Sequence, residues 1–134
     1  MSVTTAAHST RLAGGTRAAL WAARILLGAL GVTGIPAVLY FAFFAAPEDG
    51  GVVSAVDWAV GAWAMAVFVG YLVVAVRLGP GRPGVHRLAI GLVLSHLVFG
   101  LVKLLGYGET ESWLIGAFDV AALVLLALAR PRRA

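Results

Sequence analysis

Four apolar runs separated by turns of a few residues constrain this chain more than any other feature of its sequence. A bilayer core about 30 Å thick requires about 20 predominantly apolar residues of α-helix. The runs cover about 20–46, 52–76, 85–107 and 113–129. Inside hydrocarbon a helix satisfies its own N–H and C=O groups, so the pattern predicts an all-α polytopic membrane protein, a bundle of four transmembrane helices. Residues 1–19, rich in Ser, Thr, Ala and Gly with Arg11 and Arg17, read as a flexible tail, and 130–134 as a short basic one. The first run is too long for the apolar stretch of a signal peptide, and Phe44 and Pro47 do not suit a cleavage site after Ala46.

Composition excludes the main alternative. With 61% hydrophobic and 12% charged residues and a mean hydropathy of +0.97 over 134 residues, a water-soluble domain has too little interior to hide its apolar surface. The formal charge of +4 does not point to nucleic acid, because the basic residues stand singly at the ends of apolar runs and form no basic face interleaved with aromatics. The absence of cysteine excludes disulfides, thiolate metal sites and thiol redox chemistry.

Charge placement sets an expected orientation. Arg11, Arg17 and Arg24 precede or open the first run, Arg77, Arg82 and Arg87 surround the second loop, and Arg130, Arg132 and Arg133 follow the last. Glu48, Asp49 and Asp57 lie at the first loop, and Glu109, Glu111 and Asp119 at or beyond the third. The excess of arginine on one side predicts both termini in the cytoplasm, N-in and C-in. Trp58, Trp113 and Tyr107 near the outer boundary and Trp21 near the inner one fit aromatic belts. Alanine, glycine and arginine usage is that of a GC-rich bacterial genome, so the expected location is a bacterial inner membrane.

The small residues Ala55, Ala59, Ala62, Ala66 and Gly70 recur every three or four positions and predict a packing seam within the bundle, with a homo-oligomer as the alternative. Pro36 inside the first run predicts a bend.

Four ionisable residues fall inside the apolar spans: Asp57, His96, Lys103 and Asp119. Each costs on the order of 2.5 to 3.5 kcal/mol on the insertion scale, so each needs a partner or water. Counted inward from the outer loops, Asp57, Lys103 and Asp119 lie roughly 6 to 11 Å deep, which predicts an ion pair of Lys103 with Asp119 or Asp57. His96 stands two turns before Lys103 on the same stripe. Together the four outline an outward-facing polar pocket, with Glu109 and Glu111 at its mouth; equally, they fit an ion pair that fixes helix register. No cofactor or metal is expected, since His8 and His86 are too far along the chain to join His96 on one ion. Ser95 beside His96 lacks the geometry of an activated nucleophile. The leading expectation is a non-enzymatic accessory or structural membrane subunit with the bilayer, and a further copy or another membrane protein, as partners. A small-molecule binder or transporter is the alternative, and an enzyme acting on a lipid, with His96 as acid or base, the third.

Overall fold

The computed structural model describes residues 3–40, 42 and 54–130, with side chains from Gly14 onward. Four helices account for nearly all of it: α1 (Val3–Tyr40), α2 (Ala55–Arg77), α3 (Pro83–Gly106) and α4 (Ser112–Leu128). The expected turn at Pro47, Glu48, Asp49, Gly50 and Gly51, and the tail arginines Arg132 and Arg133, lie outside the described residues.

The helix ends follow from local chemistry. Ser54 caps α2 in a reciprocal capping box with Asp57, which satisfies two amides that the helix cannot satisfy itself. Pro83 occupies the first turn of α3, where its missing N–H costs nothing. Gly81, at φ +76°, and Gly108, at φ +66°, supply the left-handed residues that let the loops on either side of α3 turn tightly. The helical path of α1 runs unbroken through Pro36.

One expectation is corrected at the N-terminus. Helix α1 begins at Val3, so residues 3–19, read from the sequence as a flexible tail, are helical. The alanines among them carry the best intrinsic helix propensity, and that outweighs Gly14 and Gly15 once the chain is continuous with a long apolar helix.

Neighbouring helices pack in chain order and α1 also packs on α4, which closes the bundle. The core takes Ala23 and Leu27 from α1, Val67, Tyr71 and Val74 from α2, Ala89 and Val93 from α3, and Ala122 and Leu126 from α4. The outside is as apolar as the inside, with Ile25, Val76, Leu105 and Trp113 well exposed. A soluble bundle shows a polar outer face; helices apolar all round belong in lipid. Three of them, Gly14–Tyr40 within α1, α2 and α3, are long and apolar enough to cross a membrane, and α4 is a shorter apolar helix of 17 residues.

The small-residue seam is placed differently from expectation. Ala55, Ala59, Ala62 and Ala66 face outward, and of that series Gly70 packs within the bundle, against Leu92. The inward face of α2 is carried by Ala64, Val67, Phe68, Tyr71 and Val74 instead. Small residues at helical spacing permit close approach without choosing which neighbour approaches. Glycines make the close contact on α1: a Cβ at Gly31 would lie 2.8 Å from Leu72 Cγ and 2.9 Å from the Phe68 carbonyl, and one at Gly34 would run into the Phe68 ring.

Candidate functional site: a sealed polar cluster

The glycine notch on α1 seats Phe68, and Phe68 in turn forms one wall of a polar cluster at the bundle centre. His96 of α3 and Asp119 of α4 meet there, Nδ1 to Oδ1 at 2.9 Å. Tyr71 of α2 donates its hydroxyl to the same carboxyl oxygen at 3.3 Å. A carboxylate oxygen only accepts, so the proton of this pair is assigned to the imidazole Nδ1. Three helices are thus tied through one oxygen atom.

The cluster is closed. Tyr71 is 0%, His96 1% and Asp119 1% exposed. Phe68 and Tyr71 meet the His96 ring edge to face, with centroids 5.1 and 5.6 Å away, and Phe99 stacks on it at 6.0 Å. Edge-to-face and offset stacked geometries place the positive ring edge against a negative face, so the aromatic cage holds the imidazole's orientation as well as excluding water. Asp119 Oδ2 is buried with no hydrogen-bond partner. One layer outward, Trp63 of α2 donates its indole N–H to Ser95 Oγ at 2.7 Å and packs its ring edge-to-face on Phe99, so Ser95 serves a helix contact.

Of the four predicted site residues the structure brings His96 and Asp119 together and sets the other two apart. Lys103 pairs with Glu109, Nζ to Oε2 at 2.7 Å, and not with Asp119 or Asp57. The reason is one of solvation: a lysine near a helix end extends its charge toward water, where a loop glutamate six residues on is available without burying either charge, whereas Asp119 already has its donors. Its ammonium also lies 5.7 Å from the Phe99 ring centre. Asp57 is occupied at the end of the bundle, where Oδ2 accepts from the Ser54 amide and hydroxyl and Oδ1 from the Tyr107 hydroxyl at 3.1 Å. Asp57 therefore joins the start of α2 to the residue that follows α3. Bonded to this carboxylate, the Tyr107 phenol is held above its ordinary pKa, because ionising it would cost the hydrogen bond and set two anions side by side.

Sequence reasoning missed Tyr71. A tyrosine well inside a span, away from the interfacial belt, was the available signal, since its hydroxyl needs a partner there. Among the described residues no group of three or more His, Asp or Glu side chains stands close enough to hold a metal ion. Chemically, the arrangement can hold one proton between an acid and a base out of reach of water, and it can fix the register of α2, α3 and α4. Compared with known proteins, the chain matches no family model, no curated protein and no solved structure, so its site is read from its own geometry.

Proposed function

We propose that this is an integral membrane protein of four crossings, with both termini cytoplasmic, that acts as a non-enzymatic accessory or structural membrane subunit. The observation that carries the reading is the closure of the His96–Asp119–Tyr71 cluster: His96 Nδ1 and the Tyr71 hydroxyl are both spent on Asp119 Oδ1 at the junction of three helices, and the three side chains are almost wholly withdrawn from the surface. Polar groups arranged in this way hold a bundle together. An enzyme or carrier needs them open to a substrate.

The charge map supports the orientation. Arg24 and the described arginines Arg77, Arg82, Arg87 and Arg130 stand at one end of the helices, and Asp57, Glu109 and Glu111 at the other. Helix α4, at about 26 Å, is nearly as long as the hydrocarbon core is thick and fits as a fourth crossing close to the membrane normal. A bacterial inner membrane suits the composition. The partner face is supported by an outward apolar groove of about 610 Å³ between α2 and α3, lined by Ala62, Met65, Ala66, Gly70, Leu88 and Leu92. Its small residues let another helix, from a second copy or a different membrane protein, approach closely.

Two experiments on this cysteine-free chain test the reading. Single cysteines at Pro80, exposed in the same loop as Gly81, and at Glu111, probed in intact cells with an impermeant thiol reagent, should label only at Glu111; labelling at Pro80 overturns the orientation. A photo-crosslinking residue at Ala66 should yield a discrete protein adduct in native membranes, and lipid adducts alone would count against a subunit.

One observation favours a second reading, a small-molecule or proton carrier. Asp119 Oδ2 is buried and unpartnered, as a group that exchanges a proton would be at rest. Lys103 and Asp57 would then lie at the outer end of the route and not in one pocket with His96. The loss of proton flux in reconstituted vesicles on Asp119→Asn, with the fold retained, would support that reading over the structural one.

A further inference from the structure

The arginine end of the bundle carries charge that nothing in the described chain neutralises. Arg17, Arg77, Arg82, Arg87 and Arg130 are exposed, while Arg24 is half-buried and spends its guanidinium on the last carbonyls of α2, with Nε donating to Ala75 O at 2.7 Å. Among the described residues, Asp57, Glu109 and Glu111 stand at the opposite end, Asp119 is enclosed between the two, and neither ion pair involves an arginine. Separating these opposite charges by some tens of ångströms of apolar helix leaves this end with a net positive field that only an external anion can balance.

The field converges on one place. Gly81, in the left-handed region at φ +76°, lies in the short loop that joins Arg77 at the end of α2 to Arg82, and α3 then begins at Pro83 with Arg82 providing no side-chain cap. The next amides, Gly84 and Val85, have no acceptor within the helix, and the helix dipole adds a partial positive charge at the same point. In the first turn His86 is 7% exposed, with Nε2 unpartnered, and Arg130 at the end of α4 is within electrostatic reach of it. An uncapped helix start among arginines presents the donors that a phosphate group accepts from.

We propose that this end of the protein is a binding surface for the phosphate headgroups of anionic phospholipids, centred on the start of α3 and flanked by Arg82, Arg87 and Arg130. The inference rests on the membrane reading above, since it requires this end to lie at headgroup level. Trp21 fits that level: it is 54% exposed, with the Arg24 guanidinium 4.6 Å from its ring centre, an amphipathic pair suited to the interface between hydrocarbon and water. Nucleic acid, the other polyanion, suits the site less, because the arginines border a lipid-facing apolar wall and present no flat basic face.

The test uses the full chain. Flotation with phosphatidylcholine vesicles comes first, and failure to float overturns the membrane reading and this inference together. The floated protein, transferred to detergent, is then offered equal phosphatidylglycerol and phosphatidylcholine and the retained lipid is counted by native mass spectrometry. Phosphatidylglycerol should be retained preferentially, with the preference reduced about fivefold for each of Arg82→Gln, Arg87→Gln and Arg130→Gln, and unchanged in Glu109→Gln at the far end. Glycerol phosphate at millimolar concentration should not displace the lipid, which is held by its chains as well as its charge. Flotation with equal retention of the two lipids, or a preference unmoved by the arginine substitutions, overturns this inference and leaves the membrane reading standing. Binding of a short DNA duplex as tight as that of phosphatidylglycerol also overturns it.

Discussion

Replacing His96 and Asp119 by leucine, singly and together, separates a structural polar cluster from an incidental one. In Asp119→Leu the imidazole Nδ1 and the Tyr71 hydroxyl lose their shared acceptor, and in His96→Leu the carboxyl keeps only the longer Tyr71 bond at 3.3 Å. Both side chains are at most 2% exposed, so water does not replace the lost partner. Stranding one member of a buried ion pair costs about 3 to 5 kcal/mol. An interhelical hydrogen bond between neutral groups in a membrane averages only about 0.6 kcal/mol and reaches about 1.7. The expected result is a loss of at least about 3 kcal/mol for each single variant and a double variant less unstable than the sum by about 2 to 3 kcal/mol, because the second substitution removes the stranded group. Reversible unfolding in mixed micelles, followed by tryptophan fluorescence, measures all four corners of the cycle. Single losses near 0.6 kcal/mol that simply add would refute the claim that this pair holds the bundle.

Tyr71→Phe removes only the longer hydrogen bond and should cost no more than about 1.7 kcal/mol in the same assay. Gly31→Ala and Gly34→Ala force a methyl group into the Phe68 and Leu72 contacts and should each destabilise by about 1 to 3 kcal/mol, while Gly61→Ala and Gly91→Ala, with open space at the Cβ, should be neutral or slightly stabilising. Tyr107 should titrate above the ordinary tyrosine value of about 10, as read from the ultraviolet difference between wild type and Tyr107→Phe, and Asp57→Asn should bring it back toward that value. Because the folded-state pKa is raised, the stabilising contribution of this contact is complete below about pH 10 and is lost as pH rises through the folded value. Lys103→Gln should change stability by no more than about 1 kcal/mol, since its partner Glu109 is 46% exposed and the pair is open to solvent.

The helices were legible because hydrophobic run length is nearly independent of tertiary context, and the residues between the runs carry unambiguous turn chemistry at Gly81 and Gly108. The start of α1 was not, since Ala-rich sequence with scattered Ser and Gly satisfies both a tail and a helix until a neighbouring helix extends into it. Depth along each helix singled out His96 and Asp119 as groups in need of partners but did not pair them with each other; the packing of α3 on α4 does. Rotation about the helix axis was the missing quantity. It turned the Ala62 and Ala66 face outward, aimed Tyr71 at Asp119, and left Lys103 free to reach Glu109. Apolar helices of this kind have scarcely any amphipathic moment, so sequence offers little to fix that rotation.

Water access to the cluster is the most direct test of whether its polar groups serve the bundle or a passing solute. Single cysteines at Val93 and Ala122, both fully buried on the helices that carry His96 and Asp119, replace small side chains and preserve the polar residues themselves. Reaction with a small impermeant thiol reagent, from either side of sealed vesicles and then after detergent unfolding, reports accessibility. A sealed cluster predicts no labelling from either side at Val93 and Ala122, and full labelling on unfolding, with a control cysteine at Glu111 reacting in the folded protein from its own side of the membrane. Labelling at Val93 and Ala122 in the folded protein would show an aqueous path to His96 and Asp119 and contradict the structural reading.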